Sequence, residues 1–273
     1  MSSLTIAHLS DPHFGTINEG VAEGLLRSLN KLSPSLVLFT GDITQRARRS
    51  QFTAAKQFTH CLQPTPVIAV PGNHDIPLFN LPTRLFNPYW GFKNLFKDQL
   101  EKDFTHGDVQ VFGLNSTSRW RHVQGDFKIS RIRKRFSGPR SDSVVRIAAF
   151  HHPMDCFRDV DEKNLLRGRD QTIQVLDQAQ IDLVVGGHIH DPFVTLSTKR
   201  YPQIKRPMIL AVAGTCLSWR TRKNAPNSFN LIEVNTAGDP RITIARHDMK
   251  ADFSFIQVSQ NQFRREDSGW LKV

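Results

Sequence analysis

Five short stretches of this chain concentrate residues that bind metal ions or move protons: Asp11-Pro12-His13, Gly41-Asp42, Gly72-Asn73-His74-Asp75, His151-His152-Pro153 and Gly187-His188-Ile189-His190. Singly each is weak, since Gly-Asp is a common turn dipeptide and a lone histidine at a strand end is more often structural than a ligand. Together they supply Asp11, His13, Asp42, Asn73, His151, His188 and His190, which are four imidazoles, two carboxylates and an amide once His152 is set aside. Imidazole-rich shells suit transition metals such as Mn, Fe or Zn, whereas Mg and Ca prefer oxygen donors. Seven donors are too many for one tetrahedral ion but fit two ions that share a carboxylate. Two ions about 3.5–4 Å apart can clamp the attacking and leaving oxygens of a phosphoryl displacement. Two divalent cations against two carboxylates also leave a surplus positive charge that draws a phosphate anion.

The elements that must position these residues follow from hydrophobic periodicity. Strands are expected at Thr5–Leu9, Leu36–Thr40, Val67–Val70, Val109–Asn115, Val144–Phe150 and Asp182–Val185, with helices at Gly20–Leu32, Ser50–Cys61, Ile129–Phe136 and Gln171–Ala179. Each of the five motifs then stands directly after a strand. Functional groups of open α/β sheets gather at strand carboxyl ends, and five independent accidents of placement are improbable. After residue 190 the strands Val194–Ser197, Met208–Ala213, Ser228–Val234 and Arg241–His247 follow one another without helices, which suggests an antiparallel portion completing a second sheet. The pattern is read as one domain over residues 1–273. The segment 77–104 is rich in Pro and aromatics; these are expected to pack a local satellite core, or else to wall the cleft.

Composition narrows the class. The 273 residues, with 39% hydrophobic and 22% charged residues, are those of an ordinary globular chain. No apolar run approaches the roughly 18 residues of a membrane span. The N-terminus lacks a signal-peptide pattern, and cleavage there would remove the first ligands. Cys61, Cys156 and Cys216 do not form a disulfide framework, so a cytoplasmic location is expected. The formal net charge of +11 either simply keeps the chain soluble or attracts anionic partners. These are a small phosphoester first, peripheral contact with an anionic membrane second and nucleic acid third, the last disfavoured because no second nucleic-acid-binding domain is evident.

The ordered set Asp11-x-His13, Gly41-Asp42, Gly72-Asn73-His74-Asp75, His151 and Gly187-His188-x-His190 resembles the calcineurin-like metallophosphoesterase family. In size, in its His-His-Pro form and in Ala213-Gly214-Thr215-Cys216 it is similar to the bacterial class III branch acting on cyclic nucleotides and glycerophosphodiesters. The resemblance implies a four-layer α/β/β/α sandwich with a dinuclear site at the strand carboxyl ends. Asp11, His13 and His190 would hold one ion, Asn73, His151 and His188 the other, and Asp42 would bridge. The ions would be divalent or mixed-valence Mn, Fe or Zn. A metal-bridged hydroxide would attack phosphorus in line, with His74 facing the leaving oxygen as a proton donor and Asp75 orienting the imidazole. Neighbouring strand residues point to opposite sides, so one of His151 and His152 reaches the metals; the family pattern selects His151.

A small phosphodiester is the leading substrate class. A phosphomonoester or a pyrophosphate, on a nucleotide or lipid-linked molecule, is the alternative, and a nuclease is a third. A scaffold without catalysis is the least favoured reading, because no expected ligand is missing. The basic run 130–136 could face a membrane or simply water, Arg46, Arg48 and Arg49 could reach substrate, and Trp120, Arg121 and His122 could line the cleft. Sequence leaves the substrate, the oligomeric state and any part played by His152 or Cys216 open.

Overall fold

The computed structural model describes residues 3–97, 99–137 and 144–273. In chain order its elements are β1 (Ser3–Leu9), α1 (Glu19–Leu32), β2 (Leu36–Thr40), α2 (Arg49–His60), β3 (Val67–Val70), α3 (Leu81–Phe86), α4 (Trp90–Leu95), β4 (Asp103–His106), β5 (Val109–Gly113), α5 (Ile129–Arg135), β6 (Val145–Ala149), α6 (Arg169–Gln178), β7 (Leu183–Gly186), β8 (Phe193–Leu196), β9 (Ile209–Val212), β10 (Ser228–Asn235), β11 (Arg241–Met249), β12 (Phe255–Glu266) and β13 (Gly269–Lys272). They form two sheets, ordered β13-β12-β11-β10-β1-β2-β3 and β4-β5-β6-β7-β9-β8.

Strand alternation builds the layers. In the first sheet Leu4, Ile6, Leu36, Leu38 and Ile68 point one way and meet Val109, Val111, Val145, Ile147, Leu183 and Ile209 of the second sheet. Their neighbours Ala7, Leu9, Val37, Phe39 and Ala69 point the other way, onto Val21, Leu25 and Leu29 of α1 and Phe52, Ala55 and Phe58 of α2. The outer face of the second sheet, Ala148, Val184 and Leu210, packs on Ile132 of α5 and Ile173 and Leu176 of α6. Helix, sheet, sheet, helix is the expected four-layer α/β/β/α sandwich. Helix α1 has the sequence for its place: Asn18 caps its N-terminus by accepting from the Gly20 N–H at 3.0 Å, and its apolar residues recur every four positions.

The late strands divide differently from expectation. Strands β10 to β13 extend the first sheet, antiparallel from β1 outward. Only β8 and β9 join the second, and β9 lies parallel to β7. A parallel pair needs a crossover, and here the hairpin strand β8 supplies it where a helix usually does. The basic run 130–136 is an ordinary packed helix: Ile132 and Phe136 are buried, Arg131 pairs with Glu101, and Arg135 lies 2.5 Å from Asp103. No helix among the described residues is long and apolar enough to cross a membrane.

Candidate metal centre

Strands β1, β2, β3, β6 and β7 all end at one edge of the sandwich, and the residues just past them converge there. Three of these turns depend on unusual backbone. Asp11, His13, Asp42, His188 and His190 have φ between 48° and 71°, five of the eleven non-glycine residues with positive φ among those described. Such conformations cost energy and concentrate at functional sites, where Asp and His tolerate them best. Two glycines make room. A Cβ on Gly72 would stand 2.1 Å from the Asp42 backbone nitrogen and 2.2 Å from its Oδ1, and one on Gly187 would stand 2.4 Å from Asp11 Oδ2.

The seven residues fall into two groups joined by one carboxylate. In the first, His190 Nε2 lies 3.1 Å from both Asp11 Oδ1 and His13 Nε2. In the second, His151 Nε2 lies 3.2 Å from both Asn73 Oδ1 and His188 Nδ1. Asp42 Oδ2 stands between them, 3.3 Å from His151 Nε2 and 3.8 Å from His13 Nε2. Each carboxylate is held by one oxygen and presents the other. Asp11 Oδ2 accepts from Ser10 Oγ at 2.6 Å and from the His188 N–H at 2.9 Å, and Asp42 Oδ1 accepts from the His74 N–H at 2.8 Å. Backbone carbonyls of Thr40 and Arg220 meet Nδ1 of His151 and His190 at 2.7 and 3.0 Å. An N–H donated there leaves each Nε2 lone pair facing the cluster, the arrangement that orients metal-bound imidazoles.

This donor set fits two cations. Imidazole nitrogens 3.1 Å apart with their lone pairs converging repel unless a positive charge lies between them. Burial and the neighbouring charges prepare the same state. Burial holds His13 and His188 down at about 3, against the pull of Asp42 and Asp11, so both present neutral imidazole. Burial would raise Asp11 and Asp42, but His190 and His151 respectively lead the charges that keep both carboxyls well below the usual range. His151 is the exception, pushed up to about 9: burial opposes this, and Asp42 and Asp11 override it, so binding a cation there would release its proton.

His74 stands beside this cluster rather than in it. Its Nδ1 is 2.8 Å from the Gln45 carbonyl, and its ring meets those of His13 and His122 edge-on or tilted at 5.0 and 5.7 Å. The expected partner Asp75 does not touch the imidazole. Its carboxylate accepts instead from the N–H groups of Ile43, Thr44 and Gly72 and from Thr44 Oγ1, at 2.8–3.1 Å. It thereby ties the turn after β2 to the turn after β3. Three backbone donors within reach satisfy a carboxylate better than one side chain could, and Gln45 O takes the place at His74. Burial, then Asp42, raises Asp75 to about 7.

His152 is buried beside the cluster, with Nδ1 2.9 Å from Ser116 Oγ, and a nitrogen of it lies within 4.8 Å of ligand atoms of His151 and His188. Cys216 is fully buried in the core under α1. Its neighbour Thr215 makes the contact to the site, donating from Oγ1 to the Asp11 carbonyl at 2.6 Å. Arg46 and Arg49 do not line the cleft; they lie over the rings of Phe79 and Trp90.

A cavity of about 520 Å³ opens above the cluster. His13, Asp42, Asn73, His188 and His190 form its floor, and His74, His122, Val123, Asn164 and the segment 219–222 form its walls. Sequence points to His122 but not to Asn164 or Trp219-Arg220-Thr221-Arg222. They carry no motif; the Arg220 carbonyl on His190, the Arg220 guanidinium on Gln45 Oε1 and Arg222 on Asp161 fix their place.

Residues 4–192 match the family model described as calcineurin-like phosphoesterase. A probable glycerophosphodiester phosphodiesterase from Arcobacter nitrofigilis is 28% identical over 174 residues, 62% of this chain and 61% of that protein, so the chain spans less than two thirds of this relative. A probable cyclic nucleotide phosphodiesterase from Synechococcus sp. is 24% identical over 208 residues, 70% of this chain and 75% of that protein. Among solved structures, the purple acid phosphatase PPD1 of yellow lupin, Lupinus luteus, superposes with a TM-score of 0.70 at 12% identity. It covers 95% of this chain and 53% of its own. At that identity the likeness is one of fold.

Proposed function

The chain belongs to the calcineurin-like phosphoesterase family of dinuclear metal-dependent hydrolases, and on that premise we propose that it cleaves a small phosphodiester, a cyclic nucleotide or a glycerophosphodiester. One observation carries this reading: the same cavity is floored by both ligand groups and walled by His74. Its volume is that of a site for a small molecule. Asp11, His13 and His190 would hold one ion, Asn73, His151 and His188 the second, and Asp42 both. When bound, Mn, Fe or Zn would supply Lewis acidity to the phosphoryl oxygens and to the nucleophilic water.

The chain's own groups do the rest. His74, its Nδ1 held by Gln45 O, directs Nε2 at the cavity, where it gives a proton to the departing alkoxide. Arg222 is gripped by both oxygens of Asp161 at 2.6 and 2.7 Å, and Arg220 by Gln45 Oε1 at 2.9 Å. With the Arg222 charge answered by Asp161, this wall suits the single negative charge of a diester better than a monoester dianion. The names of both curated relatives support the same choice.

The test is a substrate panel on protein reconstituted with Mn, Fe or Zn: an aryl diester, the matching aryl monoester, cyclic nucleotides, glycerophosphodiesters and a nucleotide-diphospho lipid. Diesters are expected to lead the monoester by at least about tenfold in kcat/KM, a difference read as transition-state stabilisation. A monoester or pyrophosphate substrate ahead by that margin would overturn the diester reading.

A further inference from the structure

Ten of the fifteen large apolar side chains exposed among the described residues lie at one end of the molecule. They sit on the segments that leave β3, β5, β6 and β9. Within their sheets these strands run parallel to their neighbours, so the segments share the edge that carries the cleft. Phe79 and Phe86 follow β3, Trp120 follows β5 and Phe157 follows β6, each between 76% and 86% exposed. Sheet edges end in polar loops by default, and a cluster of bare aromatics at one end marks a contact surface.

Contacts between the loops make them one surface. Arg84 donates to the carbonyls of Pro77 and Arg121 at 3.1 Å, joining the segments after β3 and β5. Gln124 donates to the Lys163 carbonyl at 2.8 Å, joining those after β5 and β6, and the Arg222–Asp161 pair joins those after β6 and β9. The surface is also basic. Segments 46–49, 119–121 and 220–223 hold three, two and three Arg or Lys, eight in all, and no Asp or Glu. Of the acids nearby, Asp126 is engaged with Arg121, Asp161 with Arg222, and Glu162 with Arg169 and Arg200, while Asp159 leaves one negative charge between Phe157 and Val160. Arg46 and Arg49 each stand 5.6 Å from the ring of an exposed aromatic, Phe79 and Trp90.

We propose that this rim docks on an anionic lipid bilayer, so that the cleft opens toward the membrane. Exposed Phe and Trp interleaved with Arg is the composition of a surface that inserts rings among headgroups while its cations meet lipid phosphate. Each basic side chain close to such a surface strengthens partition roughly fivefold. Each buried phenyl ring adds about tenfold or more. Among the described residues Arg46, Arg48 and Arg49 pair with no carboxylate and are the cations left to meet lipid phosphate, whereas Arg121 and Arg222 are already paired.

The test is co-sedimentation of the intact chain with phosphatidylcholine vesicles, with and without phosphatidylglycerol, at low and at high salt. Partition is expected to rise at least about tenfold with the anionic lipid and to weaken with salt. The triple variant Phe79→Ser/Phe86→Ser/Trp120→Ser is expected to bind anionic vesicles at least about tenfold more weakly. Its kcat/KM on a soluble aryl diester should be unchanged, since none of the three lines the cavity. Wild-type chain that ignores anionic vesicles at low salt overturns the proposal, as does a folded, active triple variant that binds them undiminished. Self-association or duplex RNA binding that the triple variant loses, without vesicle binding by the wild type, would assign the rim to that occupant instead.

Discussion

Two regions of this molecule are equally dry and opposite in character. Between the sheets Leu4, Ile6, Leu38, Ile147 and Leu183 are fully buried among other aliphatic side chains, on regular strands. A few residues further along the same strands, Asp11, His13, Asp42 and His151 are just as buried, and every one is polar or charged. The first region gains stability from burial, about 25 cal/mol per Å² of apolar surface. The second opposes folding: burying a charge costs several kcal/mol unless it is paired, and three of its turns hold left-handed backbone. The contrast teaches where the chain puts its surplus. A continuous apolar layer stabilises a cluster that exists for binding and chemistry.

The largest effect is expected at Asp42, the carboxylate between the two groups. Asp42→Asn keeps the shape and the hydrogen bond from His74 N–H but removes the charge facing His13 and His151. Turnover should fall by more than the roughly 10²–10³-fold that one lost electrostatic donor costs, metal content by elemental analysis should drop, and the thermal midpoint should hold or rise. Chelation of the wild-type chain should abolish turnover, and Mn, Fe or Zn should restore it. Full activity in chelated Asp42→Asn protein would sink the dinuclear reading.

His74→Ala tests chemistry without ligation. Metal content should stay at the wild-type level, while the rate on diesters with poor leaving groups falls roughly 10²–10⁴-fold. An aryl diester, whose leaving group needs no proton, should lose much less. Equal losses on both would make His74 a packing residue. The reverse experiment is Ile147→Ala in the inter-sheet layer, expected to cost about 2–5 kcal/mol in denaturant unfolding and to leave kcat per folded molecule unchanged. If it instead lowered kcat as His74→Ala does, the two regions would not be separable.

The two regions also differ in how far sequence discloses them. The inter-sheet layer is legible because it obeys a period of two: Leu4, Ile6 and Leu36, Leu38 alternate with side chains facing α1 and α2. Where that period fails, so does the reading. Strand β12 runs from Phe255 to Glu266 with mostly exposed polar residues between its buried Phe255 and Phe263, and nothing in Gln-Val-Ser-Gln-Asn-Gln marks a strand; its partners β11 and β13 make it one. The cluster is legible by residue type alone, because Asp, Asn and His after strands are chemically conspicuous. Its support is not. Carbonyls of Thr40, Gln45 and Arg220 orient three imidazoles, and a carbonyl has no sequence signature. The resemblance pairs Asp75 with His74, whereas in three dimensions its carboxylate accepts from the backbone of Ile43, Thr44 and Gly72.

Ser10 sits on the border between the regions and makes the finest test. It follows Leu9 of the α1-facing layer, is fully buried, and donates from Oγ to Asp11 Oδ2 at 2.6 Å. Ser10→Ala adds no volume and removes no apolar contact, so the core should not register it. Asp11 would keep the His188 N–H on the same oxygen but lose half of the grip that turns Oδ1 toward His13 and His190. Metal affinity at that half of the site should weaken about 10–100-fold, as losses of groups that orient ligands do elsewhere. Saturating metal should restore kcat, because no group facing the substrate has changed. A competition titration with a chelator reads the first effect and activity at excess metal the second. An unchanged affinity would mean that the strand end is fixed by its backbone alone, and the left-handed turn at Asp11 would then be the part that holds the carboxylate in place.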